Sequence, residues 1–147
     1  MPEWVVGTLR LVGGSAFPAP GVGNLSRQAG YMGQDLLNPP SVEGWHTGVE
    51  WINSGSLMQR VNFTAALVGD VSRPGIKTII DRLQAQGART TAEVVDRCLD
   101  LLGPLDVSQG TRAGLIGFSD EGGDFHWDTA EHVQASTARV SELLQLI

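Results

Sequence analysis

The chain is poor in cysteine, in basic residues and in long apolar runs, and each shortage excludes a class of protein. One cysteine in 147 residues can form neither an internal disulfide nor a cysteine-based zinc site. Lysine and arginine number 10 against 16 acidic residues, a formal net charge of −6. We therefore expect no nucleic-acid partner, since such binding depends on clustered basic side chains. No stretch approaches the roughly 18 apolar residues that cross a bilayer, so no membrane span is predicted.

Apolar residues recur at helical spacing along most of the chain, and the alternation typical of strands is absent. Thr90 and Glu93 form a capping-box pattern before one segment, and Pro74 opens another. Hydrophobic residues are 41% of the chain, enough to bury a core. The sequence therefore predicts an all-α fold, a compact bundle of five to seven short helices that forms a single domain over residues 1–147.

Individual segments carry more detailed predictions. The helical segment that follows Asn53 has an apolar line formed by Leu57, Val61, Ala65 and Val68. Gly114 and Gly117 weaken the segment 111–118, which is predicted to be no more than a short helix. Cys98 lies on an apolar helical face and is predicted to be buried and unreactive. Irregular connections rich in Gly, Pro or Asp are predicted over 14–23, 38–53 and 119–128.

Both ends of the chain suggest a piece of a longer protein. Residues 143–147 form an apolar run with no polar residue or glycine to stop it, and the first helix begins at once after Met1. Such apolar helix ends favour self-association. The first ten residues have Glu3 ahead of any base, unlike a secretory signal. As written, the chain is predicted to be soluble and cytoplasmic.

The most distinctive stretch contains Gly33-Gln34, a Pro-Pro-x-Val-x-Gly-Trp turn over 39–45, Trp51-Ile52-Asn53, and a Leu-x-x-Arg-x-Asn-Phe helix over 57–63. In this order and spacing, these elements resemble the signature near the C-terminus of the large bacterial family known as domain of unknown function 1800. Members of that family are several times longer and often begin with an export signal. The resemblance implies an all-helical fold and an envelope-associated or secreted origin. It implies no reaction, because the family has no agreed substrate.

The tryptophan-rich turn has two interpretations. Trp45 and Trp51 can fold back and seal the seam between the flanking helices, since each indole buries a large area. Their flat faces can also stack on sugars, with His46 and Asn53 as polar neighbours. We favour packing, because a tryptophan contributes to a core more often than to a ligand site.

The acidic loop over 117–128 also has two interpretations. Asp120, Asp124, Asp128 and Glu131 fall at positions 1, 5, 9 and 12 of a calcium-loop frame. Position 3 is Gly122 and position 6 is Phe125, where that frame needs an oxygen ligand and a glycine. The alternative to calcium binding is a solvated loop whose Asp128 or Thr129 caps the last helix.

The same region holds the candidates for catalysis. Ser119, His126 and His132 supply a hydroxyl and two imidazoles for an acyl-transfer triad, although the second glycine of a nucleophile elbow falls one place late, at Gly122. The two histidines lie six residues apart, which does not place them on one helical face. The sequence thus favours a helical module that acts by packing or partner binding. A hydrolase of ester or lactone bonds, with or without calcium, and a carbohydrate-binding protein are the alternatives.

Overall fold

The computed structural model describes residues 2–13, 25–35, 37–45, 53–103 and 105–147. Within these ranges the chain forms seven helices: α1 (Pro2–Gly13), α2 (Leu25–Tyr31), α3 (Ser54–Val68), α4 (Pro74–Ala85), α5 (Thr91–Leu102), α6 (Gln109–Asp120) and α7 (Ala130–Leu146). The same ranges contain no β-strand, only an isolated bridge between Ser41 and Gly44. The predicted all-α fold is therefore confirmed. Among the described helices, none is long and apolar enough to cross a membrane.

The chain divides into two compact units, Met1–Leu67 and Val68–Ile147, called here unit 1 and unit 2. Unit 1 holds α1, α2 and all but the last residue of α3, and unit 2 holds α4 to α7. Each unit has buried apolar side chains of its own. The organisation of residues 1–147 as one domain within a longer protein stays a prediction.

In unit 1, α1 packs against α2. Val5, Leu9 and Val12 are fully buried along one face of α1, at the spacing of a helical stripe. Ala29 and Met32 are buried in and just after α2. Trp4 contacts Phe63 of α3, with ring centroids 5.7 Å apart.

Helix α3 begins with a cap, but part of its predicted apolar line is exposed to solvent. Asn53 Oδ1 accepts a hydrogen bond from Ser56 N at 2.8 Å, as predicted for a capping asparagine. Ser56 and Val68 are buried, whereas Leu57 and Val61 are exposed. Of the predicted apolar line, the last residue is therefore buried, while the first two face solvent.

In unit 2 the helix starts agree closely with their sequence signals. Thr90 and Glu93 form the predicted capping box of α5. Gly87 follows α4 with a φ of 64°, the left-handed conformation that glycine adopts after a helix. The core is built from apolar side chains of the four helices together with Phe125 of the loop after α6. The helical ones are Ile76, Ile79, Ile80, Leu83, Val94, Val95, Cys98, Leu99, Leu115, Val140, Leu143 and Leu144.

Helix α6 is longer than predicted, since it spans twelve residues. Ser108 caps its start by accepting a hydrogen bond from Thr111 N at 3.0 Å, and Leu115 is buried on its inner side. The cap and the buried leucine offset the weak helix propensity of its glycines.

Candidate functional site

The loop between α6 and α7 is fixed to the turn between α4 and α5 by two hydrogen bonds. Phe125 N donates to Arg89 O at 2.7 Å, and Trp127 Nε1 donates to Ala88 O at 2.8 Å, 39 residues away in the chain. The Phe125 side chain is fully buried, and its ring lies nearly parallel to that of Trp127. The loop therefore has a defined position without regular secondary structure.

His126 lies between these two aromatic anchors and is held by its backbone. The buried Ser136 of α7 accepts a hydrogen bond from His126 N at 3.2 Å and donates one to His126 O at 2.8 Å. The imidazole itself is exposed. The backbone contacts thus fix where the ring is anchored while leaving its nitrogens open to a ligand or to water.

The first turn of α7 brings a second imidazole beside His126. Thr129 caps the helix by accepting from His132 N at 3.2 Å, and His132 Nδ1 is joined to Asp128 Oδ1 by a 2.7 Å hydrogen bond. The ring centroids of His126 and His132 are 5.4 Å apart. The hydrogen bond from His132 holds the pKa of the Asp128 carboxyl below its usual range, because it stabilises the charged form.

A cavity of about 390 Å³ opens at this cluster, within the size range of small-molecule sites. It is lined by six residues from the end of α4, the α4–α5 turn and the α6–α7 loop: Gln84, Gly87, Arg89, His126, Trp127 and Asp128. We call it the Arg89 cavity. Within the described part of the chain, the Arg89 guanidinium makes no hydrogen bond or ion pair.

Ser119 lies in a different place. It lines a second cavity, of about 320 Å³, together with Phe118, Glu121, Gly122, Arg139 and Glu142. Its Oγ is buried and has no hydrogen-bond partner among the described residues, so it is joined to neither His126 nor His132. The structure therefore brings the two predicted imidazoles together but does not join the predicted serine to them.

Arg139 organises the surroundings of Ser119. Its guanidinium donates to Ser119 O at 2.8 Å, to Gly123 O at 2.6 Å and to Asp124 O at 3.4 Å. It also lies 4.0 Å from the centroid of the Phe125 ring, a cation–π contact. Arg139 thus binds the carbonyls at the end of α6 and ties the following loop to α7.

The carboxylates predicted to bind calcium are not brought together. In the ranges that the structure describes, no group of three or more His, Cys, Asp or Glu side chains is placed to hold a metal ion. Asp120 accepts a hydrogen bond from Thr91 Oγ1 at 3.2 Å, and Asp128 pairs with His132. The physical reason is Phe125, which occupies the position where a calcium loop needs a glycine and is buried in the core instead.

The tryptophan-rich turn is described only in part. His46 and Trp51 lie outside the described residues. Trp45 is half-buried, and its Nε1 is enclosed without a hydrogen-bond partner among the described residues. Asn53 caps α3 with its side-chain oxygen. The half-buried ring of Trp45 fits both interpretations of this turn, so the preference for packing stays a prediction.

Sequence reasoning missed the residues that complete the cluster. Arg89, Gln84 and Trp127 face the Arg89 cavity, and Ser136 holds the His126 backbone. Arg89 adjoins the capping box that the sequence does show, and Glu93 Oε2 accepts a hydrogen bond from its backbone N at 3.1 Å. That local signal fixes its backbone but carries no information about a loop so far along the chain.

One comparison with known proteins gives a match. The family model described as "Protein of unknown function (DUF1800)" matches residues 2–144, which includes most of both units. This match confirms the resemblance drawn from the sequence. No significant match is found among curated proteins or among solved structures.

Proposed function

Since the chain belongs to the DUF1800 family, whose function is unknown, we propose a function from its geometry. It is a helical module that acts by protein association, and its partner is a second copy of the same chain. The observation that carries this proposal is an exposed apolar surface on α3, formed by Leu57, Met58 and Val61, which are 48%, 59% and 54% exposed. We call it the α3 outer face.

The composition of α3 supports a covered rather than a solvated outer face. Leu67 is buried on the inner side of the helix, while the outer face carries apolar side chains at 57, 58 and 61 instead of the polar ones that a solvated face usually has. Arg60 is the one charged residue in its fifteen. Contiguous exposed apolar side chains on a helix are typical of an interaction site.

The net charge favours association at this face over others. Two copies that each carry −6 repel one another where acidic residues meet. The α3 outer face contains no charged side chain, so two copies related by a two-fold axis can bring identical faces together without opposing carboxylates. Met58 is the most exposed of the three, and the flexible methionine side chain adapts to such a contact.

Sedimentation equilibrium tests the proposal. We expect the wild-type chain to dimerise and the Met58→Glu variant to dimerise at least about tenfold more weakly, because association would bury an unpaired carboxylate. Gln59→Glu is the matched control, since Gln59 is exposed on the same helix and outside the apolar set. A wild-type monomer at all concentrations, or equal weakening by both variants, would overturn the proposal.

A second candidate function, hydrolysis of an ester or lactone bond, is favoured by the His126–His132–Asp128 cluster. His126 lines the Arg89 cavity, and its neighbour His132 is held by Asp128 at 2.7 Å. His132 is the imidazole that pairs with a carboxylate, and His126 is the one that lines the cavity as the candidate general base. In this scheme His126 takes a proton from water, the hydroxide adds to the acyl carbon, and the proton then passes to the departing alkoxide.

A panel of simple esters and lactones tests this second candidate. His126→Gln should reduce kcat by about a hundredfold or more, the usual contribution of a general base. His132→Gln should shift the pH–rate profile, because His132 is a positioning residue. Gln134→Ala, exposed on α7, is the control. A chelator should leave the rate unchanged. A rate that His126→Gln does not alter would reject the mechanism.

The family resemblance also supports a location at the cell envelope, which we propose for the protein in its native cell. Fractionation of the source bacterium, followed by immunodetection of this chain, measures the location directly. Recovery with envelope or secreted fractions is expected. Recovery only with cytoplasmic markers would contradict this part of the proposal.

A further inference from the structure

The Arg89 cavity is lined by hydrogen-bond donors that are unpaired among the described residues. The Arg89 guanidinium makes no side-chain contact within the described residues, and a guanidinium carries five N–H donors. The exposed imidazole of His126 and the amide of Gln84 also line the cavity. The one carboxylate that lines it, Asp128, is hydrogen-bonded to His132 through one of its two oxygens, Oδ1.

From this arrangement we propose that the Arg89 cavity binds a small carboxylate with a flat apolar body. The carboxylate pairs with the Arg89 guanidinium, whose planar fork matches two carboxylate oxygens, and His126 provides a further donor. The ring lies against Trp127, a half-buried indole in the cavity wall. This proposal requires no turnover, so it depends neither on the hydrolase proposal nor on dimerisation through the α3 outer face.

The walls of the cavity are held in place without a ligand. Trp127 Nε1 donates to Ala88 O, and Phe125 N donates to Arg89 O, so the loop and the turn that form the site are joined on both sides of His126. The Arg89 backbone is also held by Glu93. A preorganised site loses less free energy to ordering when a ligand binds.

The net charge of the chain makes the site distinctive. In a protein with a charge of −6, most of the surface repels an organic acid. At the cavity, the Arg89 guanidinium pairs with no carboxylate among the described residues, and its charge offsets that of Asp128. A carboxylate that binds this protein specifically is therefore expected here rather than on the acidic surface.

Benzoate is the probe, and two-dimensional NMR of the full chain is the measurement. We expect saturable shifts of the backbone amides at 87–89 and 126–128 and of the Trp127 indole N–H. Benzamide, which has the same ring without the charge, should bind at least about tenfold more weakly. Inorganic phosphate should shift the same amides without moving the Trp127 indole, because it has no ring.

Arg89→Gln should weaken benzoate binding by about tenfold or more, since it removes the charged fork and leaves the backbone hydrogen bonds intact. Arg82→Gln is the matched control, because Arg82 is exposed on α4 and does not line the cavity. His126→Gln is a second variant, in case Arg89→Gln does not fold.

Three results would overturn the proposal: equal binding of benzoate and benzamide, unchanged affinity in both Arg89→Gln and His126→Gln, or shifts that do not saturate. Saturable benzoate binding without any ester hydrolysis would reject the hydrolase and leave this inference standing. Loss of dimerisation without loss of benzoate binding would likewise separate it from the association proposal.

Discussion

Arg139 is the side chain on which the loop after α6 depends most. Its guanidinium contacts three backbone carbonyls and the face of Phe125. Room for that arrangement exists because residue 122 is a glycine. A Cβ at Gly122 would lie 2.5 Å from Arg139 Nε, closer than two such atoms approach in a relaxed structure.

Gly122→Ala should therefore destabilise the protein by about 0.5–1.5 kcal/mol, the usual contribution of a hydrogen bond that the guanidinium would lose. The added methyl group displaces the guanidinium from its carbonyls, and urea unfolding measures the loss. Gly117→Ala is the matched control, since a Cβ there meets nothing within 4 Å. It should stabilise α6 by about 0.5–1 kcal/mol. Equal stability of Gly122→Ala and the wild type would contradict this account of the loop.

Sequence reasoning could not predict which of these side chains meet, because their contacts depend on the tertiary fold. The residue types of the cluster could be predicted, but its geometry could not. His126 and His132 are too far apart in sequence for one helical face, yet their rings meet because His126 is on a loop held by Ser136. Ser119 was predicted to join them, but its position at the end of α6 places it at another cavity.

Caps are the feature that makes the helices predictable at the scale of the element. The capping box at Thr90 is recognisable from two residues, because its hydrogen bonds span only three positions. Helix α6 shows the converse, since its glycines predict a short helix and its Ser108 cap was not identified. On α3, propensity predicts the helix correctly, but the face that turns inward depends on tertiary contacts.

Thr90→Ala tests the capping box directly. It removes the hydroxyl that accepts from Glu93 N at 3.3 Å and should lower the free energy of unfolding by about 1 kcal/mol. Thr78→Ala is the control. Thr78 is exposed inside α4 and bonds only to Pro74 O, so its replacement by a better helix former should change stability by less than about 0.5 kcal/mol. Equal losses in the two variants would indicate that the cap contributes nothing.

For the whole molecule, acid should weaken unit 2. Hydrogen bonds lower the pKa of four of its carboxyls: Asp70, Glu93, Asp96 and Asp128. A group with a lower pKa in the folded state binds fewer protons there. Its stabilisation is present above the unfolded pKa of about 4 and is lost as the pH falls through the folded value.

Chemical unfolding at several pH values, followed by the NMR signals of α5, measures this effect. Stability should be nearly constant from about pH 7 to 5 and should fall below that range. Asp96→Asn should reduce the slope, because it removes the carboxylate that pairs with Arg112 at 2.6 and 2.7 Å. The four groups are exposed, so each contribution is small. Stability that rises towards pH 3 would contradict the sign.

The single thiol, Cys98, can report local unfolding of unit 2. Burial raises the pKa of this thiol to about 12, and the side chain is fully buried in α5. A thiol reagent therefore reacts only in moments when α5 separates from its neighbours. The labelling rate in native buffer, measured by mass spectrometry, should be well below the labelling rate of the unfolded chain. Comparable rates would show that α5 does not protect the thiol. Because the chain has a single cysteine, the rate at which this one mass increment appears reports how often unit 2 opens locally, and no label has to be engineered.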